Sequence, residues 1–297
     1  MRSKYIITIL LFIALGQVVS ERNFRTPPID RELSGLADKL WKAEENRIKP
    51  NVDYELNLQG ELVRGVTVDR AKQGLFKTLR MDRLNKIPTI RTFVKLLDNY
   101  HTRTGVREHV SPIHEKETWD FLNEVMKTEV MKITHKFLSG KGLVSPTTEG
   151  FKRELHKLWF TPYRRRVSGD SSAFEHVFVG ELDDRRREII GFHNWIHFAL
   201  QERKNGLDYL GFYFWTCSVQ RNQPRLIKIS FRTKDSYLKP SGSMLIGTTP
   251  EFELALYTVT FLTNRSNPRI QFGPCTAVIT CHPTPNGAAI GSCYTAT

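Results

Sequence analysis

Hydrophobic positions change their period part-way along the chain. From Glu32 to about Ile48, Leu33, Leu36, Ala37, Leu40 and Trp41 recur at three- and four-residue intervals, which predicts a helix with one apolar face. Residues 90–100 repeat the habit with Phe93, Val94, Leu96 and Leu97. Thr118 to Leu138 predicts a longer helix, striped by Phe121, Leu122, Val125, Met126, Met131 and Ile133, with Gly140 at the expected C-terminal cap. Between about 144 and 172, Pro146, Gly150, Pro162 and Ser168-Gly169-Asp170-Ser171-Ser172 break the pattern. Strand signals follow: Leu226, Ile227, Ile229 and Phe231 with Lys228 and Ser230 between them, then residues 257–262, 269–273 and 276–281, rich in β-branched and aromatic types. One helix is expected among them, with Thr248 and Glu251 as a capping box, Pro250 in the first turn and Phe252 to Leu256 behind. Helices first and strands second predict an α+β fold, a mainly helical N-terminal half before a strand-rich C-terminal half.

The N-terminus adds an address. Arg2 and Lys4 precede an apolar run from Tyr5 to Leu15, and Val18-Val19-Ser20 offers small residues for cleavage. Residues 1–20 therefore read as a secretory signal peptide, too short to span a bilayer comfortably. Residues 21–31, with Pro27-Pro28, read as a short leader, and 32–297 as one domain, helical to about 165 and β-rich from about 166. A secreted, soluble monomer with no membrane contact in its mature form is the expectation. Asn264-Arg265-Ser266 is a glycosylation sequon, expected on a surface loop. In an oxidising compartment Cys217, Cys275, Cys281 and Cys293 allow two disulfides in three pairings, or free thiols at one or two positions, and their spacing fits no zinc pattern.

A net charge of +13 narrows the partners to polyanions without choosing among RNA, DNA, acidic glycans and anionic lipid. Chemistry has to come from side chains, and His176, His193 and His197 lie close together. His193 and His197, four apart, would share a helical face as zinc ligands do, but a zinc protease needs glutamate where Asn194 stands. His176 and His193 suit a different task. Cleaving RNA through its own 2′-hydroxyl needs a base for that proton and an acid for the departing 5′-oxygen, and imidazole serves both near neutral pH. A fixed cation would stabilise the charged phosphorane. On spacing alone, structural histidines remain the plain alternative. No G-x-S-x-G element supports a serine hydrolase.

Four blocks resolve the choice. Phe174-Glu175-His176-Val177-Phe178-Val179-Gly180-Glu181 resembles the first histidine block of the EndoU (poly-uridylate-specific) endoribonucleases, and Gly191-Phe192-His193-Asn194-Trp195-Ile196 the second. The stretch Tyr237 to Glu253 resembles their lysine block and following helix. Leu40-Trp41, Asn46-Arg47, Pro50, Asp53-Tyr54 and Leu56-Asn57-Leu58-Gln59-Gly60 resemble their N-terminal signature. The resemblance runs in order from about residue 31 to the C-terminus.

It implies a uridylate-specific endoribonuclease acting on uridine-containing single-stranded RNA and leaving 2′,3′-cyclic phosphate and 5′-hydroxyl ends, a lyase-type cleavage. His193 would be the general base, His176 the general acid and Lys239 the charge stabiliser. Ser292 and Tyr294, in a hydroxyl-x-Tyr element, and Ser243, four residues after Lys239 as in the related coronaviral enzymes, would bind the uridine. Glu175 and Glu181 match the family pattern as supporting residues. Family members commonly need manganese or calcium, so a divalent ion is expected as activator or structural ligand, with ligands unassigned. Cys293 departs from the small residue usual between the two uridine contacts. His197 is not a family site residue. The basic, aromatic tract from Lys152 to Arg166 suits single-stranded nucleic acid, with Arg164, Arg165 and Arg166 as candidate contacts and Trp159 and Phe160 as core. A non-catalytic polyanion binder on the same scaffold is the competing reading.

Overall fold

The Asp30 carboxylate accepts the Leu33 amide and starts α1 (Arg31–Ala43), whose stripe of Leu33, Leu36, Ala37, Leu40 and Trp41 is buried as the spacing predicts. This computed structural model describes residues 27–63, 68–218, 223–287 and 289–296. The expected signal peptide and the first residues of the leader lie outside those described. After α1 come a small hairpin, β1 (Tyr54–Leu56) and β2 (Phe76–Leu79), and the helices α2 (Met81–Leu84), α3 (Pro88–Leu96), α4 (Pro112–Lys127), α5 (Glu129–Gly140) and α6 (Thr148–Phe160). A π-helical turn at Glu175–Val179 leads into β3 (Glu181–Asp183), β4 (Glu188–Ile190), α7 (Trp195–Arg203), β5 (Leu207–Thr216), β6 (Leu226–Thr233) and β7 (Leu238–Leu245). The chain closes with α8 (Pro250–Leu262), β8 (Arg269–Phe272), β9 (Cys275–Pro283) and β10 (Ile290–Ala296). The α+β expectation holds.

Two sheets carry the C-terminal half. One has the order β3-β4-β7-β6-β5, antiparallel except where β4 runs parallel to β7; the other is the antiparallel set β10-β9-β8. Strands β10 and β7 approach each other, so the sheets meet along one seam. The helices α1, α3 and α5 pack on α8, and an aromatic cluster of Phe93, Phe121, Phe160, Phe174 and Phe178 joins α3, α4 and α6 to the π-turn. Trp159, fully buried, donates its indole N–H to Thr258 of α8 at 2.9 Å. Each fully buried ring of this kind contributes about 1.5–3 kcal/mol. The helical half is thereby locked to the segment that carries His176.

The local readings needed correction in several places. The helix expected over 118–138 is two helices, α4 and α5, divided at Thr128. Its backbone is extended, and its hydroxyl caps the Met131 amide. The glycine that ends α5 is Gly142, at φ +69°, where Gly142 and Leu143 donate back to Ser139 and Leu138; Gly140 is still helical. Residues 257–262, expected as a strand, complete α8. That helix is buried on almost every side, so no apolar stripe marks it, and its β-branched residues imitate a strand. The capping box of Thr248 and Glu251 does not form. The Thr248 hydroxyl instead donates to the Leu245 carbonyl and is bonded to the Glu253 carboxyl, and the helix start is capped from α1's end, where the Glu44 carboxylate accepts the Thr249 amide at 2.7 Å. Helix α6 and strand β5 were not foreseen, the first because Gly150 and the charged tract obscured its period.

Candidate active site

Two glycine-dependent turns bring the histidine blocks together. The π-turn holds His176, and the Phe192 and His193 amides donate to the His176 and Val177 carbonyls at 2.9 and 2.8 Å. Gly191, at φ +65°, permits that approach: a Cβ there would stand 1.8 Å from the His176 carbonyl oxygen. Asn194 then caps α7 by accepting the His197 amide at 3.0 Å, and Trp195 donates to the Thr248 carbonyl, fixing the helix against the start of α8.

The two rings are held differently. His176 donates Nδ1–H to the fully buried Glu181 carboxylate at 2.5 Å, and the same oxygen pairs with Arg165 Nε at 3.0 Å. His193 donates Nδ1–H to the Ser243 carbonyl at 3.2 Å. Because that carbonyl can only accept, the neutral ring keeps its lone pair on Nε2. Tyr294 stacks on His193 with ring centres 4.9 Å apart. Lys239 donates to the Gly191 carbonyl at 2.6 Å. Burial lowers the pKa of both histidines, His193 the more, with the Lys239 ammonium adding to the effect. Glu181 works against the shift at His176. Burial also pulls Lys239 down to about 8, still above neutrality, so its ammonium is retained.

His176, His193, Lys239, Ser243, Ser292 and Tyr294 all line one cleft of about 480 Å³ at the seam between β7 and β10. A larger cleft of about 600 Å³, bordered by β2, α7 and β5, holds no histidine. Cys293 pairs across the ladder with Cys281 and forms a disulfide with it, facing away from Ser292 and Tyr294 by strand alternation. Cys217 and Cys275 are buried free thiols.

The supporting residues divide. Glu181 touches His176, whereas Glu175 faces the Ser172 amide, and burial raises it to about 10, which makes it a neutral acid at pH 7. His197 is not beside His193 on a helix; it lies inside α7, bonded to the Phe178 carbonyl and to Gln201. The zinc arrangement is therefore absent. The arginine run is also not a free RNA track. Arg165 pairs with Glu181 and donates to Tyr163 and the Gly291 carbonyl, Arg166 pairs with Asp183, and Arg164 is left exposed. Sequence reasoning missed Arg165's link through Glu181 to His176, and Lys228, which also lines the cleft; neither has a local signal, because each reaches the site across the fold. Asn264 sits in an exposed turn after α8.

Comparison with known proteins identifies the family. The sequence pattern of the family "Endoribonuclease XendoU" matches residues 32–295. Uridylate-specific endoribonuclease B of Danio rerio is 41% identical over 277 residues, covering 89% of this chain and 95% of the relative. Poly(U)-specific endoribonuclease of Xenopus tropicalis is 41% identical over 250 residues, covering 81% and 84%. The solved structure of XendoU, described as a splicing-independent snoRNA-processing endoribonuclease, superimposes with a TM-score of 0.78 at 36% identity, covering 91% of this chain and 97% of that one.

Proposed function

The chain belongs to the XendoU endoribonuclease family, and from that membership we propose that it is a secreted, uridylate-specific endoribonuclease cleaving single-stranded RNA to 2′,3′-cyclic phosphate and 5′-hydroxyl ends. The observation that carries the reading is the pair of imidazoles with both Nδ1 atoms committed, one to a carboxylate and one to a carbonyl, above a buried ammonium in one cleft.

Held neutral by burial, His193 takes the 2′-hydroxyl proton at Nε2. The 2′-oxygen attacks phosphorus, and Lys239 stabilises the charge that gathers on the phosphorane oxygens. His176 delivers a proton from Nε2 to the leaving 5′-oxygen. Glu181 stabilises the imidazolium, while burial and nearby cations keep that proton acidic enough to leave. Tyr294 offers a stacking face to the uracil, and Ser292 a hydroxyl on the same side of β10. Secretion rests on the signal-like N-terminus, and glycosylation on the exposed sequon at Asn264.

A divalent ion, manganese or calcium, is proposed only as a stimulant remote from the reaction. Among the described residues no carboxylate lines the cleft, two lysines do, and both Nδ1 atoms are occupied, so this donor set does not fit a reacting metal. Among the described residues no cluster of three or more histidine, cysteine or acidic side chains has the geometry to hold an ion.

Incubating the protein with uridine-rich RNA, with and without manganese or calcium, tests this. Cleavage 3′ of uridine that His193→Ala, His176→Ala and Lys239→Ala each abolish is the expected result. Intact RNA after incubation with folded wild-type protein would sink the enzymatic reading, and cleavage surviving a single substitution would overturn that residue's role.

A further inference from the structure

Lys239, Ser241 and Ser243 are alternate residues of β7 and line the cleft together. Lys228 on β6 is the cross-strand partner of Ser243, and its side chain lines the same cleft. Residues directly opposite each other in a ladder share a face. Ser243 is four positions beyond Lys239 and the ladder shifts register between them, so the two lysines are anchored about 10–13 Å apart along the sheet by the rise per residue of a strand. They serve different parts of a bound nucleotide.

His193 determines which part is which. Its Nδ1 is bonded to the Ser243 carbonyl and its ring lies on Tyr294, so the ribose whose 2′-hydroxyl it takes has its base at the Ser243 end. At that end the Ser243 hydroxyl already donates to the Thr295 carbonyl, which takes its proton away from any base edge. Uracil and cytosine differ at position 4, where uracil carries a carbonyl acceptor and cytosine an amino donor. An ammonium has three donors and no acceptor.

Resting on the nuclease reading above, we propose that Lys228 is a specificity-determining residue that donates to uracil O4. Cytosine at the same place sets an amino group against an ammonium, two donors with no acceptor between them. The preference for uridine then has a side-chain origin on β6, separate from the stacking by Tyr294 and from the Lys239 that meets the phosphate. Charge-assisted hydrogen bonds of this kind correspond to about 10- to 150-fold in rate.

The test is single-turnover cleavage of DNA oligonucleotides carrying one ribonucleotide, either uridine, cytidine or 4-thiouridine, in which sulfur is a poor acceptor at position 4. Wild-type protein is expected to cut uridine about 10- to 150-fold faster than cytidine, with 4-thiouridine well below uridine. Lys228→Met is expected to collapse the uridine-to-cytidine ratio toward one, and Lys228→Arg, which keeps donors, to retain part of it. Equal wild-type rates on uridine and 4-thiouridine overturn the inference without any variant. An unchanged ratio in Lys228→Met, or an equal loss on all three substrates as a phosphate contact would give, overturns it too. Wild-type protein that cuts none of the three overturns the nuclease reading, and this inference with it.

Discussion

Glu181→Gln isolates the role of charge behind the acid. The carboxylate is fully buried, accepts from His176 at 2.5 Å and pairs with Arg165 at 3.0 Å. Glutamine keeps the shape and one acceptor but removes the negative charge from both partners. A charge-assisted hydrogen bond is worth about 1.5–3 kcal/mol. Since 1.36 kcal/mol is one pKa unit, the His176 imidazolium loses about one to two units of support. The direction follows from the site: burial already holds His176 below its ordinary range, and the Glu181 bond opposes that shift, so its loss lowers the pKa further. An acid must carry its proton to act. The alkaline limb of kcat therefore moves about one to two pH units lower, and kcat above both limbs falls about 10- to 100-fold. Breaking a buried pair also costs about 3–5 kcal/mol of stability, a drop of roughly 6–20 °C in Tm for a domain of this size. The assay is the pH dependence of kcat on an RNA with one uridine, from about pH 5 to 9, run below the variant's melting transition. A uniform loss of kcat with the alkaline limb unmoved would refute the electrostatic account and leave Glu181 as an orienting group.

Arg165→Gln should move the same limb the other way, because the guanidinium lowers the His176 pKa; a limb that moves down with that variant would contradict the arrangement. Glu253, buried beneath Asn194 and Thr248, is raised by burial to about 8, against an unfolded value near 4.5. Its contribution to stability is full below about 4.5 and is lost as pH rises through about 8, so Glu253→Gln should flatten part of the fall in Tm between about pH 5 and 9, read by calorimetry; an unaltered slope would count against it. Replacing both Cys281 and Cys293 by alanine opens a loop of 12 residues beside Ser292 and Tyr294 in the cleft. Stability should fall by about 3 kcal/mol, with a lower kcat/KM on RNA, and a double variant with wild-type Tm and KM would show that the cross-link holds nothing in place.

The sequence by itself determined the fold class and the helices with one apolar face, and it singled out His176, His193 and Lys239, which the fold brings into one cleft. Amphipathic spacing is a local property, and α1 and α3 show it plainly. The two histidine blocks are equally local, because each carries its histidine close to a glycine, and Gly191 permits the close approach to the His176 carbonyl. What tertiary structure decided is everything that depends on residues far apart in the chain. Helix α8 is surrounded by protein, so its sequence has no polar face to reveal it, and its N-terminus is capped by Glu44 from 205 residues away. The Ser243 hydroxyl, a candidate for reading uracil from its distance to Lys239, is turned to Thr295 by the meeting of β7 with β10. Arg165 looked like part of a basic surface and is a half-buried partner of the carboxylate that holds His176, while Lys228 was an ordinary alternating strand residue until the β6–β7 register put it opposite Ser243. Periodicity encodes which face of a segment is buried; only packing between segments decides which charges meet there, and that is where the different surroundings of His176, His193 and Lys228 arise.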